Sequence, residues 1–515
     1  MIITATNIPL QFNGGLNTQT GPLSIADNES PNCKNVHTNL IGTLQRRMGH
    51  TEFEDSGTAQ DGWGVFDYWQ NANTHYLIVR IGNKLFKMDV DTNNEFDGTL
   101  DEISLGEGMA NSITEFEQVD EGGTNYLVMS THNRDPLQKW NGSGATTILS
   151  ADADAPKPRH IKEWKGYLFC ANIANYESRV YYNNVSGTIT SSTAWVATNY
   201  QDIRTTDGDY ITALAKLKGR LYTFKRYSIH RWTYFGGTPL FGIKEAVTGI
   251  GTIASKTIKN INHPKYGEIL VFLGADSKFY GFDGTNAFPI STKIETDNNG
   301  ISEFNLTKLS TSNLSLSHSE DYKTRHWYVC WVPTGAETNW TLIWDYYTDT
   351  WWPMDGMIAT SCGIGLHGGQ YRLYFTKTNG KLYTFDDGNT DDTTNIEALY
   401  DSKKYSRGNL PLLKNDHYIE LQLRNIDRDI SLYTRSDWAS SWGTAETLDC
   451  NNGGFILGTS KLGTTLGGPE AITRTVDLPV INHTQQFRLY TSDDDAAWGV
   501  YGTDLVTSGR GYGKS

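Results

Sequence analysis

The chain is short of the features that mark disulfide-stapled, metal-binding and membrane proteins. Its 515 residues contain five cysteines: Cys33, Cys170, Cys330, Cys362 and Cys450. They are scattered and never form a CxxC pair. That argues against a disulfide framework or a zinc site and for free thiols in a reducing compartment. No run of about 18 apolar residues occurs, so no membrane-spanning helix is expected. The N-terminus lacks a basic segment followed by an apolar one, so no secretory leader is expected. Charged residues make up only 20%, with a formal net charge of −14. A general binder of nucleic acid or membrane surfaces would show a basic excess instead. Histidines are few, and no HExxH, GxSxG or P-loop pattern is present. No catalytic residue, metal or cofactor is therefore expected.

What the chain does have is aromatic residues and glycine: Tyr 28, Phe 19, Trp 15 and Gly 51. Aromatic side chains pack well on pleated sheets and glycine closes tight turns, so the profile is that of an all-β protein. One phrase recurs: an apolar strand, a short turn, then an aromatic strand closing near Asp-Gly or Asn. It is seen in "HYLIVRIGNKLFKMD" from His75, "EILVFLGADSKFYGFDG" from Glu268 and "YRLYFTKTNGKLYTFDDG" from Tyr371. About seven copies follow one another at a spacing of about 50 residues, the length of a four-stranded propeller blade. A lone hairpin cannot bury its own apolar face, and stacking blades around an axis covers it. The expectation is a β-propeller of about seven blades over residues 61–400. "WDYYTDTWW" resembles the kelch phrase, and "GKLYTFDDG" and "SKFYGFDG" resemble the quinoprotein-type one. WD40 signatures and sialidase Asp boxes are absent. Beyond residue 400 the repeat stops. "YIELQLRNIDRDISLYTRSDW" and the strands after it predict an antiparallel sandwich or barrel over 401–515.

Candidate sites are sparse. The acidic segments "DVDTNNEFDG" (89–98) and "DDGNTDDTTNIE" (386–397) have the oxygen ligands of a calcium loop without its full spacing, and read as solvated connections. His326 and His417 read as structural. "KLKGRLYTFKRYSIHR" is the one basic stretch. Lys216, Lys218 and Arg220 are expected to share a strand face at period two, open to phosphate or to an acidic neighbouring subunit. Arg46 and Arg47 are expected to point one outward and one inward. Ser30 and Pro31 are expected to open one or two helical turns. Trp351 and Trp352 suit blade packing, or stacking on sugar rings.

The first 60 residues form an arm with no blade phrase. Its "FNGGLNTQTGPLSIADNESPNCKNVHTNLIGTLQRRMG" contains Gly14, Gly15, Leu16, Asn17, Asn35, Val36, Gly42, Leu44, Arg47 and Gly49. This Gly-Gly-Leu-Asn, Asn-Val, Gly-x-Leu-x-x-Arg-x-Gly pattern resembles the start of many bacteriophage structural proteins. Combined with the order of arm, propeller and terminal β-domain, it resembles the tail nozzle (tail tubular hub) proteins of short-tailed bacteriophages. The resemblance implies a virion structural protein made in the bacterial host cytoplasm and working as a homohexameric ring. Its neighbours would be portal and adaptor proteins and tail fibre or needle proteins. It would retain and conduct genomic double-stranded DNA without turnover. The arm, with Gly14, Gly15, Leu16, Asn17, Asn35 and Arg47, is expected to pack on the terminal domain or on a neighbouring subunit. Two other readings compete. One is a tail-associated propeller enzyme or lectin for surface polysaccharide, the other a kelch-like scaffold.

Overall fold

A computed structural model describes residues 5–512 apart from 40–41, 105–108, 206–207, 299, 409, 427, 451–470 and 493–496. Among these the only helical elements are four single 3-10 turns; the rest of the regular structure is strand. Seven four-stranded antiparallel sheets follow the repeat. Their first strands begin at Gly62, Glu115, Pro158, Ile211, Lys259, His318 and Ser361, and they are numbered here as blades 1 to 7. The recurring phrase forms the middle of each blade. Its apolar strand is the second, as in Trp327–Val332 of blade 6, where every side chain is buried. The chain is an all-β propeller, with a separate cluster of apolar side chains between most neighbouring blades.

Blade 7 corrects the boundary of the arm. Its first three strands are Ser361–His367, Gln370–Thr376 and Lys381–Phe385, and its fourth is His50–Asp55. Residues 50–55 therefore belong to the propeller, and they close the ring by joining the start of the chain to its last blade. "HTEFED" has too little apolar character to be read as a blade strand alone. It needs Lys381–Phe385 as its template.

The remaining arm strands enter the terminal domain. Thr6–Leu10, Val36–Thr38 and Leu44–Arg46 lie in a six-stranded sheet with Leu412–Arg424, Ala471–Asn482 and Gly499–Tyr512. Asn32–Lys34 edges a five-stranded sheet with Ala398–Asp401, Gln485–Thr491, Asp429–Ser436 and Glu446–Asp449. Ile419 and Leu505 from one sheet and Leu432 and Phe487 from the other share one buried cluster, so the two sheets form a sandwich. That same cluster runs on through Trp327, Trp344 and Trp352 of blade 6 and Phe375 of blade 7. Sandwich and propeller therefore share one core on this side.

The segment from Ser30 is extended, not helical. Its Oγ donates to the Asp401 carbonyl at 2.7 Å, and the residues after it pair with Ala398–Asp401. The sheet edge offers a full ladder of partners, which outweighs a local helix cap on a segment too short to sustain a helix.

Candidate functional sites

The arm motif builds a seam between blade 6, blade 7 and the sandwich. Gly15 has φ +73°, and a Cβ there would lie 2.9 Å from the Trp351 carbonyl oxygen. Only glycine lets the backbone turn this close to blade 6. Leu16 N then donates to Trp351 O at 2.9 Å. Gly14 N donates to Asn28 O at 2.7 Å, and Asn17 Nδ2 to Glu29 Oε2 at 2.7 Å. Asn35, at φ 57°, donates from Nδ2 to Asp355 Oδ1 at 2.5 Å and to Glu397 O at 2.7 Å.

Arg47 is the centre of the seam and is 2% exposed. Its guanidinium donates twice to Asp391, at 2.7 and 2.5 Å, and also to Asn35 Oδ1, Met48 O and Asp355 O. All five of its N–H donors are thereby used. His50 adds an Nδ1 contact to Asp391 Oδ1 at 3.1 Å, while its Nε2 lies 2.7 Å from Lys377 Nζ. Burial lowers the His50 pKa despite Asp391, so the ring is neutral, donating from Nδ1 and accepting at Nε2. Burial alone would raise the Asp391 carboxyl. The hydrogen bonds from Arg47 and His50 outweigh it and hold the group at about 2.

Arg46 is buried as well, at 1% exposure, with Nη2 on Asn389 O. Neither arginine of the pair points outward. The six arm residues singled out in the sequence, Gly14, Gly15, Leu16, Asn17, Asn35 and Arg47, are all buried within the chain; Gly15, Leu16, Asn35 and Arg47 join arm to propeller, while Gly14 and Asn17 bond within the arm.

The basic stretch is arranged differently from its expectation. Lys216 lies in Ile211–Leu217, Lys218 at the turn with φ 49°, and Arg220 at the start of Arg220–Lys225. A hairpin turn interrupts the period-two spacing, so the three do not share one strand face. Lys216 Nζ lies 3.1 Å from Glu163 and 3.5 Å from Glu117 across the inter-blade junctions. Lys218 Nζ donates to Asp283 O at 3.0 Å.

The acidic segments are spent on structure. Asp91 accepts from the N–H groups of Asn93 and Glu95 at 2.8 and 2.9 Å, closing its own turn. Asp386 pairs with Arg325 at 2.7 Å, and Asp391 belongs to the seam. Among the described residues no group of three or more His, Cys, Asp or Glu is placed to hold a metal. His326 sits at a turn with φ 60°, and His417 Nε2 lies 2.9 Å from Ser508 Oγ. The five cysteines are free thiols. Trp351 and Trp352 are 1% and 0% exposed, with their indole N–H groups on Ile290 O and Thr350 Oγ1. Buried this way they pack the blade and cannot stack on a sugar.

Two concavities stand out. A cleft of about 630 Å³ lies where the arm meets blades 6 and 7, lined by Tyr322, Arg325, Tyr371, Arg372, Asp386 and Asp387 among others. A cavity of about 250 Å³ sits on the propeller axis, where the inner strands of all seven blades converge. Nothing in the sequence signals the second, because each blade contributes only two to four of its residues.

No protein-family model and no curated protein matches the chain. Among solved structures it is similar to the extracellular domain of a hybrid two-component system from B. thetaiotaomicron. The TM-score is 0.41 at 10% identity, over 65% of this chain and 39% of that one. It is also similar to the Neurospora crassa Pan2 WD40 domain, with TM-score 0.37 at 9% identity, over 66% of this chain and 95% of that one. Likeness this distant leaves the fold resting on the seven sheets themselves. Among the described residues no helix is long and apolar enough to cross a membrane.

Proposed function

We propose that this chain is a structural subunit of a phage tail nozzle: a ring-forming protein that retains and conducts genomic DNA. The observation that carries the reading is the arm. Its motif residues resemble those of bacteriophage structural proteins, the order of arm, propeller and β-domain resembles that of nozzle proteins, and the arm ties the start of the chain into both the last blade and the terminal sandwich. One polypeptide thus presents a propeller beside a β-wall of long strands, Leu412–Arg424 with 13 residues and Gly499–Tyr512 with 14. Such strands reach about 43 to 46 Å at 3.3 Å per residue, enough to form a wall element.

Charge supports the same division of roles. Residues 401–515 carry 12 Lys and Arg against 14 Asp and Glu, so 12 of the 14 net negative charges belong to residues 1–400. A near-neutral wall neither grips nor strongly repels DNA, while acidic propellers discourage adhesion. The propeller axis is not the conduit, since a 250 Å³ cavity cannot pass a duplex.

Because residues 12–39 and 42–49 are integral to the fold, the ring contact is assigned to the margin of the six-stranded sheet, where Thr6–Leu10 lies against Gly499–Tyr512. The test is assembly. Full-length protein mixed with portal and adaptor rings should form closed rings by electron microscopy and native mass spectrometry. A chain lacking residues 1–11 should fold but stay monomeric. A full-length chain that remains monomeric beside those partners would sink the reading. Rings from the shortened chain would move the contact elsewhere. The carbohydrate reading loses its stacking tryptophans to the blade 6 core.

A further inference from the structure

The lining of the axial cavity is richer in lysine than in carboxylate. It includes Lys162, Lys256 and Lys259 but one carboxylate, Glu115, in a chain of net charge −14. Two of the lysines are neutralised from neighbouring strands. Lys162 pairs with Glu117 at 2.6 Å and Lys259 with Glu320 at 2.7 Å. Glu115 is itself occupied by His160 Nδ1 at 2.7 Å and Ile161 N at 3.2 Å. Lys256 differs. Its Nζ donates to the Trp63 carbonyl at 2.8 Å, and among the described residues no carboxylate forms an ion pair with it. Lys256 is half-buried, and an ammonium group partly withdrawn from water without a counter-ion is costly.

A second wall group is also incomplete. His318 is 1% exposed and stacks on Trp331. Its Nδ1 lies 3.1 Å from Leu316 O, while Nε2 has no hydrogen-bond partner. With the proton on Nδ1 facing that carbonyl, Nε2 is a bare acceptor.

We propose that the propeller axis binds one small oxyanion of the phosphate class, with Lys256 as its counter-ion and His318 Nε2 accepting from the anion's own hydroxyl. Size limits the ligand. Sites for drug-sized molecules run to about 300–1,000 Å³. At about 250 Å³ this one is smaller than those and has room for an inorganic anion.

The groups facing Lys256 are Glu115, Lys259, Cys362, His318 and His132. Burial pushes His318 to about 3 and His132 to about 4, so both are neutral near neutral pH. Burial raises the Cys362 thiol, and the Lys259 pKa stays above its ordinary value through Glu320. Lys256 itself is lowered by burial to about 8, with Glu115 opposing. A bound anion favours the charged ammonium. Binding should therefore be strongest below about pH 8, weaken above it, and take up a proton near that pH.

The experiment is reductive methylation of the full-length protein at neutral pH, with rates for individual lysines read by mass spectrometry. Inorganic phosphate should slow Lys256 about tenfold or more, the effect of a pKa rise of at least one unit. Sulfate, which carries no hydroxyl at this pH, should protect less. Calorimetry should show phosphate uptake by the native protein, its loss in Lys256→Met and its retention in Lys256→Arg. An unchanged Lys256 rate in phosphate would overturn the proposal, as would undiminished binding to Lys256→Met. Equal protection by sulfate would remove the role given to His318.

Discussion

Blades 4 and 6 are built from the same repeat but live in different surroundings. In blade 6, Trp327, Tyr328, Trp331, Trp344, Trp351 and Trp352 are each no more than 2% exposed. In blade 4, Tyr227, Tyr234 and Phe235 are 46%, 42% and 60% exposed. Blade 6 is covered by its neighbours, by the arm and by the sandwich. Among the described residues, the buried clusters of blade 4 join it only to its neighbours. The aromatic content of a blade therefore does not say how much of the core it carries. What covers the blade decides that.

The comparison can be broken at the seam first. Arg47→Met leaves Asp391 buried without its charged partner, with His50 alone still donating to it. It should cost about 3–5 kcal/mol, read as a lower urea midpoint. Trp352→Ala opens a cavity in blade 6, and should cost about 3–5 kcal/mol in the same assay. The seam should also fail in acid. The Asp391 carboxyl is depressed to about 2 in the fold, so its stabilisation is complete above the ordinary carboxylate pKa of about 3.9 and is lost as pH falls towards 2. Tryptophan fluorescence should follow that loss, and Asp391→Asn should remove the dependence in this window. Gly15→Ala forces a strained φ against Trp351 and should lower stability by about 1 kcal/mol or more in a thermal melt. Phe235→Ala in blade 4 should change it by no more than about 0.5 kcal/mol. If Phe235→Ala and Trp352→Ala cost the same, the contrast between the blades is false.

Much of the fold was legible in the sequence. Each blade's middle strands announce themselves by apolar runs and turn residues, because strand pattern is a local property. The candidate sites were far less legible. Lys216, Lys218 and Arg220 looked like one face because spacing alone cannot show that a turn begins at Lys218. Arg46 and Arg47 looked half exposed because Asn389 and Asp391, which receive them, lie more than 340 residues away. Lys256 is not legible in the sequence, since its lack of a carboxylate partner among the described residues is defined only by what the other six blades bring to the axis.

The sequence by itself determined the class of the protein and its repeat: aromatic, turn-rich segments at blade length have few other ways to bury their faces. Only the tertiary structure decided how the ring is closed and where the arm goes. His50–Asp55 becomes a blade strand, and Thr6–Leu10 a sandwich strand, because distant sheet edges supply the backbone partners their own neighbours lack. The same non-local pairing settled which charges are satisfied. It gave Arg47 a carboxylate and, among the described residues, left Lys256 without one.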